Sequence, residues 1–538
     1  MRSDDSHRMD RRERLERGLR LGRRAFLRAA SGAVAWLASR PLGASPVERA
    51  PEIHRATRNT TRGAIGVRWP RLTRPPKPWK EYAEAPRTRL PRAGRSPSLP
   101  LADVVRDFAE APRFGDAPLT LAELTRVLHF ANGVTLEGEP RLRAAPSAGA
   151  LYAGEVYVLA ERVSDLPPGA YYYDVLRHAL VRLRAGSSAR VVGDALEEPE
   201  KLSGAAAVVL LTNVFGRYTW RYANRGYRYA LIDSGHIGEN LRLAARSAGL
   251  VEGSALRFRD DLLNAQIEID GRTEAVCALH ALGRPTSGLE RTTAAPAPRF
   301  VEAQQANLAL PGGERGVIER YHEATKLVPG SPATTPDDRA AARAPVFAAR
   351  VALGEKRGGP TRSLEACILA RRSVDRFDPA PLTLAGLRFI VEIAQGHAAL
   401  DRADGVDLYL AVHRVEGLDP GLYRYERPAH ALGILRGGDL REALVEACLG
   451  QRKAGSAAVG FMMVARLRPS GSALGDRRYR DRLLEAGAVG ERIYLAAEAL
   501  GFGARNLAAF RDDPLNELVG LDPRREGVIH LTMAGPEV

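Results

Sequence analysis

Most of this 538-residue chain is written twice. His54-Arg55-Ala56-Thr57-Arg58 returns as His322-Glu323-Ala324-Thr325-Lys326. Phe114, Pro118-Leu119-Thr120-Leu121, Leu124 and Gly133 return 263 residues later as Phe377, Pro381-Leu382-Thr383-Leu384, Leu387 and Gly396. From Tyr157 onward the offset is 252, pairing Tyr157/Tyr409, Gly169/Gly421, Tyr227/Tyr479, Gly235/Gly487, Gly249/Gly501, Phe258/Phe510, Asp260/Asp512 and Asn264/Asn516. A unit of this length is a whole domain, not a solenoid repeat. The chain is therefore constrained to two copies of one domain, and such copies are expected to pair as the halves of a dimer do.

Periodicity gives the unit its class. Thr120 is a candidate N-cap with Glu123 three residues on, and Gly133 closes that helix. Glu155-Val156-Tyr157-Val158-Leu159 and Asp407-Leu408-Tyr409-Leu410-Ala411 read as strands. A long helix is predicted from about Tyr227 to Ala248, stopped by Gly249, and its twin from about Tyr479 to Leu500, stopped by Gly501. Small residues along that helix suit close helix–helix packing. Helices interleaved with strands make each unit α+β, a mixed sheet flanked by helices. The expected segments are 1–44, a basic arm 45–100, a first domain 101–285, a linker and second arm 286–362, and a second domain 363–538.

A formal charge of +15 raises the question of nucleic acid. Residues 1–44 hold 11 Lys/Arg against 5 Asp/Glu, and residues 45–100 hold 13 against 4, which accounts for the whole excess. The remainder is neutral, so a basic nucleic-acid footprint is not expected. Cys277, Cys367 and Cys448 are scattered through apolar stretches, which implies buried inert thiols rather than a disulfide framework or a metal site. Near the start, Arg23-Arg24-Ala25-Phe26-Leu27 precedes a short apolar stretch, Ala29 to Ala38, and a small-residue exit at Leu42-Gly43-Ala44. This order resembles a twin-arginine signal, too short to span a bilayer. It implies export of a folded protein to the periplasm by the twin-arginine machinery, with no stable membrane insertion after processing; a cytoplasmic location is the alternative.

The succession Arg143-Ala144-Ala145-Pro146-Ser147-Ala148-Gly149-Ala150-Leu151-Tyr152, then Pro168-Gly169-x-Tyr171-x-Tyr173, then Tyr227-Arg228-Tyr229-Ala230-Leu231-Ile232-Asp233-Ser234-Gly235-His236 resembles SagB-type dehydrogenases of the nitroreductase-like superfamily. The resemblance runs from His54 to Val538 in two copies. It implies a fold of two nitroreductase-like domains forming an intramolecular pseudo-dimer, with the single chain acting as a monomer. It further implies FMN in the interface. One partner would supply an Arg-x-Ser-x-basic motif to the flavin and its phosphate, and the other a Pro-Ser-x-Gly segment against the ring. Guanidinium and hydroxyl donors suit a phosphate, and small residues let a flat ring approach the backbone.

The copies divide those parts between them. The second has Arg371-Arg372-Ser373, where the first has Phe108-Ala109-Glu110. The first has Pro146-Ser147-Ala148-Gly149; between Gly396 and Tyr409 the second has 12 residues against 23 in the first, and the missing ones fall where that segment belongs. Ala508 and Ala509 leave room for a ring where the first copy has the bulkier Leu256-Arg257. One flavin site per chain is expected. The basic place of the motif is taken by Asp375, with Arg376 one later as a substitute, and the terminal basic residue of many relatives is absent, while the first copy has Arg284. Azoline-oxidising relatives carry a Lys-Tyr pair before the long helix; here it is Arg221-Tyr222, and arginine cannot serve as a base. Tyr222 is the candidate catalytic residue, as an acid or as a base of depressed pKa, with a packed aromatic as the alternative; His236 is read as a helix-packing residue. The functions left open are an FMN-dependent oxidoreductase of a small-molecule or peptide substrate, an azoline dehydrogenase of peptide maturation, and a non-catalytic scaffold.

Overall fold

The computed structural model describes residues 50–59, 75–93, 99–106, 113–138, 141–286, 317–327, 347–354, 358–396, 405–467 and 475–538. The arginine-pair segment, Phe108-Ala109-Glu110 and most of the linker lie outside the described residues.

Each copy builds a seven-stranded sheet of the same topology. In the first the spatial order is Arg87–Arg89, Ala179–Ala185, Gly169–Asp174, Gly154–Ala160, Ala207–Val214, Glu274–Gly283, Val251–Ala255. In the second it is Ala349–Ala352, Ala431–Gly437, Gly421–Glu426, Val406–Val412, Val459–Arg466, Glu526–Gly535, Gly503–Asn506. Every pairing between these strands is antiparallel, so the expected mixed sheet is corrected while the α+β class stands. Gly154–Ala160, Gly169–Asp174 and Ala179–Ala185 follow one another through short turns and pair directly, as antiparallel strands can. The repeat extends to irregularities: the pairing of Ala207–Val214 with Glu274–Gly283 shifts register at Leu211/Thr212, and that of Val459–Arg466 with Glu526–Gly535 at Met463/Val464, 252 residues apart.

The capped helix spans Leu121–Asn132, with Thr120 and Glu123 forming a reciprocal capping box and Gly133 at its end. The long helices span Gly226–Ser247 and Gly475–Ala499 and stop just before Gly249 and Gly501. They pack on one another between the copies. At their crossing Gly235 faces Gly487; a Cβ on either would collide with a carbonyl oxygen of the other helix, Leu484 for the first and Ile232 for the second. The small-residue stripe is thus spent on the domain interface. One hydrophobic core runs through this interface from both inner sheet faces, and a separate cluster covers the outer face of each sheet. All three cysteines are free and buried, and burial pushes the Cys367 and Cys448 thiols up to about 12.

Two matched ion clusters lock the copies together. Arg225 and Arg228 of the first copy each reach Asp512 of the second at 2.6 Å. Arg477 and Arg480 of the second reach Asp260 of the first at 2.5 and 2.6 Å. All six are buried. Burial alone would raise Asp260, but Arg477 and Arg480 hold it down at about 2. The repeated His-x-x-Thr segments seat here: the His54 carbonyl and the Thr57 hydroxyl accept from Arg228, and the Thr325 carbonyl accepts from Arg477.

Candidate flavin site between the copies

Arg371 ends the helix Leu364–Ala370 and is buried. Its Nε donates to the Ala144 carbonyl at 3.0 Å and its Nη2 to the Arg143 carbonyl at 3.3 Å. The second copy's motif and the first copy's glycine segment therefore meet, as the split of parts between copies requires. Arg372 is half-buried over the backbone of Leu369 and Arg371. Ser373 and Arg376 are exposed. Ser373 Oγ lies 2.8 Å from the Tyr494 hydroxyl, which also accepts the Asn506 backbone N–H at 2.8 Å.

The glycine segment is held from below. Ser147 Oγ accepts the Tyr152 N–H at 2.8 Å and lies 2.6 Å from the Tyr218 hydroxyl. Tyr218 donates to Asp233, whose Oδ2 also accepts the Ala148 N–H at 3.1 Å. Burial lifts the Asp233 carboxyl to about 7 against the pull of these donors. Pro146, Ser147 and Ala148 are half-buried, and Gly149 is exposed at φ 65°, the left-handed conformation that favours glycine. A Cβ on Gly149 would lie 2.5 Å from the Tyr222 hydroxyl and 3.5 Å from the Arg221 guanidinium. The cradle thus excludes any side chain there.

Tyr222 stacks edge-on against Tyr229 with ring centres 4.9 Å apart, and Tyr229 donates to the Ala508 carbonyl at 2.8 Å. Gly149, Tyr222, Tyr229 and Ala508 so form one continuous wall drawn from both copies. Burial raises the Tyr222 phenol, with Arg221 opposing. The depressed pKa that a base would need is therefore corrected, since the Tyr222 phenol is shifted upward, and its edge-on packing suits the aromatic alternative. Ala508 and Ala509 are half-buried, whereas Leu256, the counterpart of Ala508, is buried.

Several residues at this site escaped sequence reasoning. Asp375 is answered by Lys453 at 2.8 Å and Arg505 at 3.0 Å, and these hold its carboxyl low although burial pushes it up. The Asp375 carboxylate that stands in the basic place of the motif is thereby paired, and two cations stand beside it. Arg505 sits beside the Ser373–Ala504 bridge, and its counterpart at the 252 offset is Gly253, a contrast visible in the repeat itself. Asp233 and Tyr494 likewise stand opposite Glu485 and Arg242. Arg284, the first copy's version of the missing terminal base, is spent on Glu123 at 2.7 Å. His236 is buried between the long helices, as a packing residue is, but also contacts Asn506 at 2.9 Å.

Among the described residues no helix is long and apolar enough to cross a membrane, and no group of three His, Cys, Asp or Glu is arranged to hold a metal.

Comparison with known proteins identifies the family and the fold. The nitroreductase family model matches residues 113–284 and again 368–535. The MJ1384 protein of Methanocaldococcus jannaschii, a nitroreductase by name, is 32% identical over 171 residues, covering 32% of this chain and 85% of its own. The trifolitoxin-processing protein TfxB of Rhizobium leguminosarum bv. trifolii is 27% identical over 177 residues, 31% of this chain and 48% of its own, so the match spans about half of that relative. A solved structure from Anabaena variabilis, also a nitroreductase by name, superposes over 91% of this chain and all of its own with a TM-score of 0.71 at 24% identity. That likeness shows the fold across both copies.

Proposed function

The chain belongs to the nitroreductase family in two tandem copies, and from that premise we propose that it is an FMN-dependent oxidoreductase with one flavin per chain, held between its own two domains. The observation that carries this reading is the contact of Arg371 with the Arg143 and Ala144 carbonyls. It joins the cationic motif of the second copy to the stretch of the first that leads into the glycine segment. Arg371, Arg372, Ser373 and Arg376 would take the phosphate side, with Arg505 and Lys453 adding charge. Pro146, Ser147, Ala148 and Gly149 would lie against the ring, with Ala508 and Ala509 leaving it room. FMN, when bound, supplies the two-electron chemistry. The protein's part is to orient the substrate, exclude water and present Tyr222 as a neutral proton donor across from Gly149.

A peptide-derived substrate is the second reading, favoured by the likeness to TfxB. Arg221 argues against an azoline dehydrogenase that needs a lysine base, since its guanidinium stays charged. We further assign Arg23-Arg24-Ala25-Phe26-Leu27 to twin-arginine export, in which case oxygen or a quinone suits the flavin better than soluble nicotinamide. Fractionation of cells producing the full chain, with N-terminal sequencing of the mature form, tests this; cytoplasmic protein with residues 1–44 intact would sink it.

The decisive experiment is flavin stoichiometry on the purified protein, read from absorbance and from released flavin. About one FMN per chain is expected; two would contradict the shared site, and none would leave the scaffold reading.

A further inference from the structure

Behind Arg371, where the long helices cross, lies a pocket of buried polar side chains that the flavin reading does not use. Glu491 and Tyr494 enter from the second helix, His236 and Asn240 from the first, and His530 from the strand Glu526–Gly535; Glu491, His236 and Asn240 are 0% exposed and His530 1%. Nδ1 of His236 is 3.0 Å from Oε2 of Glu491. Its Nε2 is 2.9 Å from the Asn506 amide, and the Asn506 backbone leads through Tyr494 to Ser373. Asn240 and His236 are the polar neighbours of the Glu491 carboxyl, and both ring nitrogens of His530 lack a hydrogen-bond partner. A carboxylate left in such a place is costly to keep ionised, so it titrates in response to the nearest charge.

We propose that Glu491 is the proton-linked counterpart of Arg371: an anion bound at Arg371 draws a proton onto Glu491, so a flavin phosphate and a Glu491 carboxylate exclude one another. The inference rests on the flavin reading and concerns how that site takes its ligand. The charged and titratable groups around Glu491 are few. Arg371, whose guanidinium lies 5.3 Å from the Tyr494 ring centre, favours the carboxylate, a hydrogen bond from Asn240 favours it less, and Glu239 of the facing helix opposes it. His236 and His530 are both neutral, His236 held down at about 3 by burial and by Arg371, His530 by burial and by His236. Asn240 and Tyr494 add no charge. Burial, against Arg371, sets the Glu491 carboxyl at about 8. Once a phosphate neutralises Arg371, the main influence favouring ionisation is gone and the proton is held more tightly. Binding and protonation then reinforce one another, and affinity falls as the pH rises through the value of the empty site.

The test uses the full chain stripped of flavin and titrated with FMN, followed by quenching of flavin fluorescence from about pH 7 to about pH 9.5. The FMN dissociation constant is expected to rise above about pH 8, approaching about tenfold per pH unit as a single linked proton requires. The phosphate is already a dianion there, so its own titration cannot weaken binding. Glu491→Gln should bind FMN with that dependence flattened, and riboflavin, which lacks the phosphate, should show none in either protein. Should Glu491→Gln fold poorly, proton uptake by the unaltered protein on adding FMN in weak buffer near pH 8.5 gives the same reading. An unchanged pH slope in Glu491→Gln, or no proton uptake, overturns this inference alone. Absence of FMN binding at every pH overturns it together with the flavin reading.

Discussion

The two ends of the domain interface start from the same blueprint and finish as opposites. At the flavin end stand His236, Asn240, Glu491 and Tyr494; their counterparts at the other end are Ala488, Arg492, Glu239 and Arg242. There, Arg242 pairs with Glu239 at 2.6 Å and Arg492 approaches the same carboxylate at 3.6 Å, all three buried. Leu256 stands buried where the flavin end has the half-buried Ala508. A guanidinium left alone in such an interior would be severely destabilising, whereas a paired one is tolerated. The vestigial end has thus been filled with groups that answer one another. The end at Arg371 leaves the His530 ring nitrogens without a partner and Ala508 half-buried, as the proposed flavin site would require. The locks that hold the copies together, Arg225/Arg228 on Asp512 and Arg477/Arg480 on Asp260, stayed alike at both ends. The locks kept their symmetry, while in the proposed reading ligand binding lost it.

The contrast is broken most severely by reversing the charge of Arg371. Arg371→Glu should abolish flavin retention, a loss of at least about two orders of magnitude in affinity from replacing a charge-assisted contact by repulsion. Reversing Glu110, its near neighbour in the repeat, should leave flavin content unchanged; the opposite result would mean that the site lies at the other end. Next come the locks. Asp260→Asn and Asp512→Asn each strand two buried arginines and should each cost about 3–5 kcal/mol of stability, measured by denaturant unfolding. Only Asp512→Asn should also release flavin, because Arg225 and Tyr229 hold the Ala508 carbonyl. Since Asp260 is held near 2, below its unfolded value, its contribution is present above about pH 4 and is lost as the pH falls toward 2. A smaller change sharpens the comparison: Ala508→Leu copies Leu256 and should expel flavin while costing only about 1–3 kcal/mol in overpacking. Smallest is Gly149→Ala. It should cost about 1–2 kcal/mol for its left-handed backbone, and Tyr222→Phe in the same chain should recover part of any flavin affinity lost to the clash with that hydroxyl.

Much of this was legible in the residues. The duplication, the capped helix after Thr120, the long helices and the opposed glycine and arginine segments all follow from local patterns that the tertiary fold respects. Antiparallel pairing throughout was not, because strand residues buried on both faces lose the alternation that marks direction. Nor was the neutralisation of Asp375 by Lys453 and Arg505, since those partners lie 78 and 130 residues away and only folding brings them near. The buried acids Asp233 and Glu491 were invisible for another reason: one acidic residue on a helix reads as solvated until its surroundings are known. Setting the two copies against each other position by position would have exposed both, because their counterparts differ in what they can pair with.

The seating of the arms carries a consequence for biosynthesis. His54, Thr57 and Asn59 close over Arg225, Arg228 and Asp512, so one junction joins the beginning, the middle and nearly the end of the chain. As the polypeptide leaves the ribosome, the first domain emerges with two arginines whose carboxylate partner, Asp512, has not yet been made. Contacts of such long sequence separation form late and slowly. The nascent first half should therefore be exposed to misassembly or to chaperones until the final strands arrive, and an isolated first domain should be poorly soluble rather than a working half.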